Sequence, residues 1–267
     1  MLHHKLVAEI IGSDLLCSHE FDMSCDTCRM RILCLPAALD PHHLTALEGI
    51  IEHRRTLKAG EDLYQQNQEF KALHAVLTGS IKTYTTHADG WVRITGCHLA
   101  GEIFGFSGIG ESHYRSTARA LEDTLVCEIP FAELEDLCRK IPDLQSRLFH
   151  LMSQRMVEDH ELAAQFMHKR PARKRIAAFL LGLSARAARR GESTTELHLP
   201  MTRTDIGNYL GITLETVCRE LARLEKQGVI NLQKRELTLL DLPRLRAPIC
   251  PPKTETAGGL SAGRPDP

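Results

Sequence analysis

Three cysteines fall within ten residues of the segment Ser24-Cys-Asp-Thr-Cys-Arg-Met-Arg-Ile-Leu-Cys-Leu-Pro36. Thiolates are soft ligands suited to zinc, copper(I) and iron–sulfur clusters. The Cys25-x2-Cys28 pair can reach one centre from a tight turn, and Cys34, six residues on, closes the cup. Three thiolates leave a four-thiolate site incomplete, so a fourth ligand has to come from elsewhere in the fold. Cys127, Cys17, Cys97 and Cys138 compete for that place, Cys17 being nearest in sequence and Cys127 offering a ligand from a folded core. The loop is polar (Asp26, Thr27, Arg29, Arg31), whereas inert cysteines sit in apolar surroundings. This spacing does not separate zinc from an iron–sulfur cluster. Nine cysteines, an odd number at irregular intervals, do not form a disulfide framework.

A second set of residues with chemical meaning lies in Thr202–Gly228. Thr202 and Asp205 have the spacing of a capping box, Gly211 breaks a first short helix, Thr213 can cap the next, and Gly228 can end it. Ile206, Leu210, Val217, Leu221 and Leu224 supply the buried faces of a helix-turn-helix. Its second helix presents Glu215, Cys218 and Arg219 near the N-terminal end, the end that enters the major groove of double-stranded DNA. With the caps Thr202 and Thr213, these are the expected DNA-facing residues. Charge agrees: residues 168–236 carry a balance of +7, against −9 over residues 1–167.

The remaining elements must position these two sets. At 267 residues the chain has room for about two domains, and 43% hydrophobic with 25% charged content is ordinary for a globular protein. No apolar run is long enough for a membrane helix, and the N-terminus lacks the pattern of a signal peptide, so a cytoplasmic protein with no membrane partner is expected. From residue 41 to 141, short runs such as Leu73–Leu77, Ser80–Tyr84 and Trp91–Thr95 are separated by turn signals at Thr78-Gly79, Asp89-Gly90 and Gly101. They predict an antiparallel β-barrel or sandwich. In Leu125–Ile129 the alternation places Leu125, Cys127 and Ile129 together, on the expected inward face. A long helix over 142–169 follows, with Phe149, Met152, Met156, Asp159, Ala163 and Phe166 at the 3–4 spacing of a two-stranded seam. Leu144, Leu148, Leu151 and Leu162 form a second stripe for the chain's own sheet. A helix from Pro171 to about Arg190, the helix-turn-helix and a β-wing around Lys234-Arg235 complete a domain over 170–242. Residues 243–267, with six prolines, are expected to be disordered.

Taken together, four stretches resemble the Crp/Fnr superfamily of transcription regulators, and within it the oxygen-sensing FNR (fumarate and nitrate reduction) branch. They are Cys25–Cys34, Ile94–Phe106, Ala120–Phe131 and Thr202–Gly228, and the resemblance covers roughly residues 15–242. It implies an α+β chain: a cysteine-rich segment (1–40), an N-terminal β-barrel sensor domain of the cyclic-nucleotide-binding type (41–141), a dimerisation helix (142–169) and a C-terminal winged helix-turn-helix. It also implies an oxygen-labile [4Fe–4S] cluster on Cys25, Cys28, Cys34 and Cys127, whose presence favours a homodimer and whose loss releases the DNA. Glu215, Cys218 and Arg219 would read TTGAT-N4-ATCAA sites, and the bound dimer would recruit RNA polymerase.

This sequence departs from the family pattern at Cys218, where the family has serine, and at Arg29, a cation directly after Cys28. Phe106 stands where cyclic-AMP binders of the superfamily carry a glutamate, so no cyclic nucleotide is expected, Arg115 alone being unable to replace that contact. Asp159 is the anomaly of the seam. In a parallel dimer it faces its own copy, and two carboxylates about 6 Å apart repel by roughly 3 kcal/mol at an effective dielectric near 20. Two rivals remain: a regulator with structural zinc at the same cysteines, and an iron–sulfur electron carrier. The carrier has no use for Thr202–Gly228, and no nucleophile–base pair or dinucleotide fingerprint points to an enzyme.

Overall fold

The computed structural model describes residues 24–51, 53–167 and 170–249. The strands predicted from short apolar runs form two antiparallel sheets of four, not one closed barrel. One sheet contains β1 (His53–Leu57), β3 (Ala72–Thr78), β6 (Ile103–Phe104) and β8 (Thr124–Pro130), in the order β1-β8-β3-β6. The other contains β2 (Asp62–Tyr64), β4 (Ser80–Thr86), β5 (Val92–Leu99) and β7 (Thr117–Ala120), in the order β2-β7-β4-β5, with β5 at its edge. Leu57, Val76, Ile81, Phe104, Ala118 and Val126 fill a core shared by the two sheets. Asp89-Gly90 forms the β4–β5 hairpin tip as expected, with Gly90 at φ 81°.

Leu125, Cys127 and Ile129 do share a face, but it is the outer one. They pack with Leu73, Ala75 and Leu77 beneath the cysteine loop and the helices, while Val126 points into the sandwich. Period-two alternation tells which residues lie together; it does not tell which side is interior when a strand buries residues on both faces.

The outer face is covered by α1 (Pro41–Glu48), α2 (Phe131–Lys140) and α3 (Pro142–Met167), the long helix foreseen after Pro142. Asp40 caps α1 through the His43 amide, and Pro41 occupies its first turn. Leu144 and Leu148 bury one stripe of α3, whereas Phe149 and Met156 stay about 60% exposed on another.

The C-terminal unit consists of α4 (Ala172–Arg189), α5 (Arg203–Leu210), α6 (Leu214–Lys226) and a wing ordered β10-β11-β9. These strands are β9 (Glu196–His198), β10 (Ile230–Gln233) and β11 (Glu236–Leu239). The domain does not end at residue 242. Asp241 caps α7 (Leu242–Arg246), whose Leu245 enters the same core, so the first residues of the expected disordered tail are folded. Residues 250–267 lie outside the described residues. Ile94, Cys97 and Leu99 of β5 join that core beside Ile176, Leu180, Met201 and Leu210, which packs the C-terminal reading domain onto the β-sandwich. Among the described residues no helix is long and apolar enough to cross a membrane.

Two histidines are buried in the sandwich. His74 packs among Tyr64 and Phe104 with its Nδ1 unpartnered, and His98 stacks on Phe104 with Nε2 3.2 Å from the Thr83 hydroxyl. Burial pushes His74 down to about 3, with Arg55 adding to the effect, and drives His98 well below its ordinary 6.5. Below pH 6.5 the unfolded chain takes up protons that the folded chain refuses, so stability falls with falling pH. Each histidine should contribute a slope of up to about 1.4 kcal/mol per pH unit there. Urea unfolding of the chain at pH 7.5 and pH 5.5 should show this loss, and His74→Phe should remove about half of it.

Candidate cysteine pocket and nucleic-acid interface

The cysteine loop is a run of tight turns: the Arg31 amide donates to the Cys28 carbonyl (3.0 Å) and the Cys34 amide to the Met30 carbonyl (3.1 Å). Pro36 then starts a short 3-10 turn, Leu35–Ala38, whose Leu35 is fully buried. At the other end Glu48 of α1 accepts the amides of Cys25 and Asp26. The loop closes onto the β-sandwich at Gly101, where a Cβ would stand 2.8 Å from Leu33 Cδ1 and the backbone has φ +86°; glycine meets both conditions.

Cys127 rises from β8 beneath this loop. Together Cys25, Cys28, Cys34 and Cys127 line one small pocket, walled mainly by Ile51, Ala75, Leu77 and Ile129. Burial, then the nearby Cys127 and Glu48, pushes the Cys25 thiol up to about 12. Burial likewise raises Cys34 to about 12, with the other three cysteines adding to it. Cys127 is raised by burial, opposed by the Arg54 guanidinium that hydrogen-bonds it. These are therefore neutral thiols near pH 7, and binding a metal centre would release their protons.

Among the described residues no group of three or more His, Cys, Asp or Glu side chains is arranged to hold a single metal ion. Cys138 is buried on α2 beside Glu135, Cys97 lies in the core shared with the reading domain, and Cys17 lies outside the described residues.

In the reading domain the Thr202–Asp205 capping box is present in both directions, and Thr213 caps α6 through the Thr216 amide. Gly211 takes the left-handed φ of 63°. Gly207 lets the two helices approach: a Cβ there would meet the Ile212 carbonyl at 2.8 Å. With Val217 and Leu221 buried, α6 exposes Glu215 and Arg219, while Cys218 is half-buried. The Glu215 carboxyl is held below its ordinary range by its own backbone amide and by Thr213. Cys218 Sγ lies 4.0 Å from Arg203 Nη1, and Arg219 donates to the Thr216 hydroxyl at 3.3 Å.

On α3 the expected seam is exposed at Phe149, Met156, Asp159 and Ala163 and half-buried at Met152; the Phe166 side chain lies outside the described set. Asp159 is paired with Arg155 at 2.8 Å.

Four residues escape sequence reasoning. Glu48 and Arg54 approach the cysteines, and Arg155 meets Asp159. Arg147 of α3 donates from Nε to the Cys34 carbonyl (3.1 Å) and from Nη2 to the Leu33 carbonyl (2.6 Å). The i,i+4 spacing to Asp159 was a signal for Arg155; the others come from distant segments. The cation expected beside the thiols, Arg29, is exposed.

Comparison with known proteins gives a consistent result. A Crp-like helix-turn-helix domain model matches residues 174–247, and a cyclic nucleotide-binding domain model matches residues 54–141. The chain is 42% identical to the fumarate and nitrate reduction regulatory protein of Salmonella typhimurium, over 84% of this chain and 89% of the relative. It is also 42% identical to the protein of that name in Escherichia coli, over 80% and 86%. Among solved structures, FixK2 from Bradyrhizobium japonicum is similar with a TM-score of 0.65 and 28% identity, covering 73% of this chain and 95% of that one.

Arg147 is expected to anchor the cysteine loop to α3. Charged hydrogen bonds of this kind contribute about 1.5–3 kcal/mol each. Arg147→Ala should therefore speed amide exchange at Cys34 and Leu35 by at least tenfold while leaving the wing unchanged. Unaltered exchange would show that apolar packing alone seats the loop.

Proposed function

The chain belongs to the Crp/Fnr family of DNA-binding transcription regulators, in the fumarate and nitrate reduction branch and not among enzymes, and from that premise we propose that it governs genes of anaerobic metabolism by sensing oxygen. The observation that carries this reading is the pocket in which three thiols from one loop meet a fourth from β8. Four soft sulfurs within mainly apolar walls suit a [4Fe–4S] cluster held by Cys25, Cys28, Cys34 and Cys127. Such a cluster would supply the oxygen sensitivity.

The chain's own residues supply the rest. Arg147 ties the loop to α3, so the state of the pocket bears on the helix that offers Phe149, Met152, Met156, Ala163 and Phe166 to a second copy. Repulsion between the two Asp159 carboxylates opposes that pairing. A two-fold dimer sets its two α6 helices about one helical turn of DNA apart. Arg219 then donates to guanine O6 and N7, Glu215 accepts from cytosine N4, and TTGAT-N4-ATCAA is the expected site, with Thr202 and Thr213 fixing the helices that face it. The bound dimer contacts RNA polymerase in the cytoplasm. Phe106, in the place of the ribose-binding glutamate, supports a sensor that takes no cyclic nucleotide.

Anaerobically purified protein should be coloured, with a broad visible absorption that bleaches in air. Cys127→Ser should abolish the colour and Cys138→Ser should keep it. A colourless protein holding zinc would overturn the oxygen-sensing reading, and a coloured Cys127→Ser would overturn the fourth ligand.

On DNA, Arg219→Ala should cost about 1–3 kcal/mol and relax preference at the guanine of the half-site. Equal weakening on all sequences would reduce Arg219 to a phosphate contact. Cys218→Ser, replacing a weak thiol donor by a hydroxyl, should sharpen selection at the outer thymine in a binding-site selection.

A further inference from the structure

Asp159 does not stand alone on α3. Arg155, one turn earlier, reaches it at 2.8 Å, and the arginine side chain is 20% exposed against 53% for the aspartate. The same Nη2 donates to the Thr95 carbonyl of β5 at 3.3 Å. Gly96 makes room for this approach, since a Cβ there would lie 2.9 Å from that nitrogen.

The next residue along β5 holds the reading domain. The Ile94 amide donates to Asn208 Oδ1 and the Asn208 amide donates to the Val92 carbonyl, both at 2.7 Å. An edge strand has main-chain groups with no strand partner, and the carboxamide of Asn208 satisfies two of them. Beside it Lys82 of β4 meets Asp205 of α5 at 2.7 Å, with both side chains largely buried. One strand thus carries the seam arginine and the first helix of the helix-turn-helix on adjacent residues.

We propose that Arg155 couples the dimerisation seam to the DNA-reading head: it neutralises Asp159 so that two copies can meet along α3, and it fastens that ion pair to the strand that holds Asn208. The proposal rests on the reading of α3 as the dimer seam. Arg155 is a positioning residue on this account, touching neither the cysteines nor DNA. Its loss leaves facing carboxylates uncompensated and releases β5 from α3 in the same step.

The test is a double-mutant cycle on the anaerobically purified full chain, read by sedimentation equilibrium and by amide exchange. Arg155→Gln should lower the dimer association constant by about fivefold to tenfold, and should have almost no effect when Asp159→Asn is also present. Exchange at Ile94 and through α5 should rise in Arg155→Gln and stay at the wild-type level in Asp159→Asn. Arg155→Lys, which keeps the charge and the fold but not the fork of donors, should recover most of the association and only part of the protection.

Equal weakening by Arg155→Gln with and without Asp159 would overturn the electrostatic role. Unchanged exchange in α5 would overturn the coupling. A wild-type chain that stays monomeric would instead overturn the seam itself, and this proposal with it.

Discussion

The outer face of the first sheet is apolar and has to be covered. Leu73, Ala75, Leu77 and Ile129 lie there, and the cover comes from four separate pieces: Leu35 and Leu39 after the cysteine loop, Leu44 and Leu47 of α1, Leu134 of α2, and Leu144 and Leu148 of α3. Each fully buried leucine contributes about 1.5–3 kcal/mol, so no piece can lift away without cost. The pieces also share one close-packed volume, and displacement of one is felt by the others. This is why a loop rich in cysteine and a helix with an exposed apolar stripe belong to one mechanical unit. Arg147 adds direction to that unit, because it grips the loop through backbone carbonyls whose positions depend on how the turns around Cys34 are wound.

The register of β1 against β8 imposes a second constraint. Arg54 and Cys127 are directly opposed in the antiparallel ladder, so their side chains leave the sheet on the same face. The guanidinium is thereby carried to the thiol and favours its ionised form against the effect of burial. A pocket of four sulfurs accumulates negative charge when its thiols ionise, and the cation beside Cys127 offsets part of that. Arg29, adjacent to Cys28 in sequence, turns to solvent. Proximity along the chain was the weaker guide, since a turn decides where a neighbour points while a ladder leaves little choice.

The same distinction explains how much was legible beforehand. Caps and glycines act within a few residues, so the box at Thr202–Asp205, the break at Gly211 and the cap at Thr213 appear where their spacing put them. Of the sandwich strands, β3, β4, β5 and β8 were readable, as was the long helix after Pro142, because hydrophobic period is a local property. The side of the sheet on which Cys127 lies was not, since β3 and β8 bury residues on both faces and period alone is silent there. The strand β9 and the helix α7 were missed for a related reason. Each is five residues or shorter and is held by partners far along the chain: β9 by β11, and α7 by the domain core. Glu48, Arg54 and Arg147 are ordinary surface residues by sequence and acquire roles only from tertiary placement.

Magnitudes bear on how such a chain can switch. Moving a two-state equilibrium from 1:99 to 99:1 takes about 5.5 kcal/mol. Two bare carboxylates about 6 Å apart across the proposed seam repel by roughly 3 kcal/mol at an effective dielectric near 20, and the ion pair with Arg155 in the same helix reduces that. On the proposed seam the charge on Asp159 would then supply only part of the free energy of a full switch. The apolar stripe of Phe149 and Met156 pulls the other way with a contribution of about 1.5–3 kcal/mol for each side chain fully covered. On the proposed reading of α3 as a dimer seam, contributions of this size oppose one another, and a signal at the cysteine pocket would have to move only the remainder. That remainder is within reach of the few charged hydrogen bonds by which Arg147 connects the loop to α3, each worth about 1.5–3 kcal/mol. On the proposed coupling, Arg155 would pass a change in the seam onward, because its second contact, to the Thr95 carbonyl, is with the strand on which the reading domain is docked.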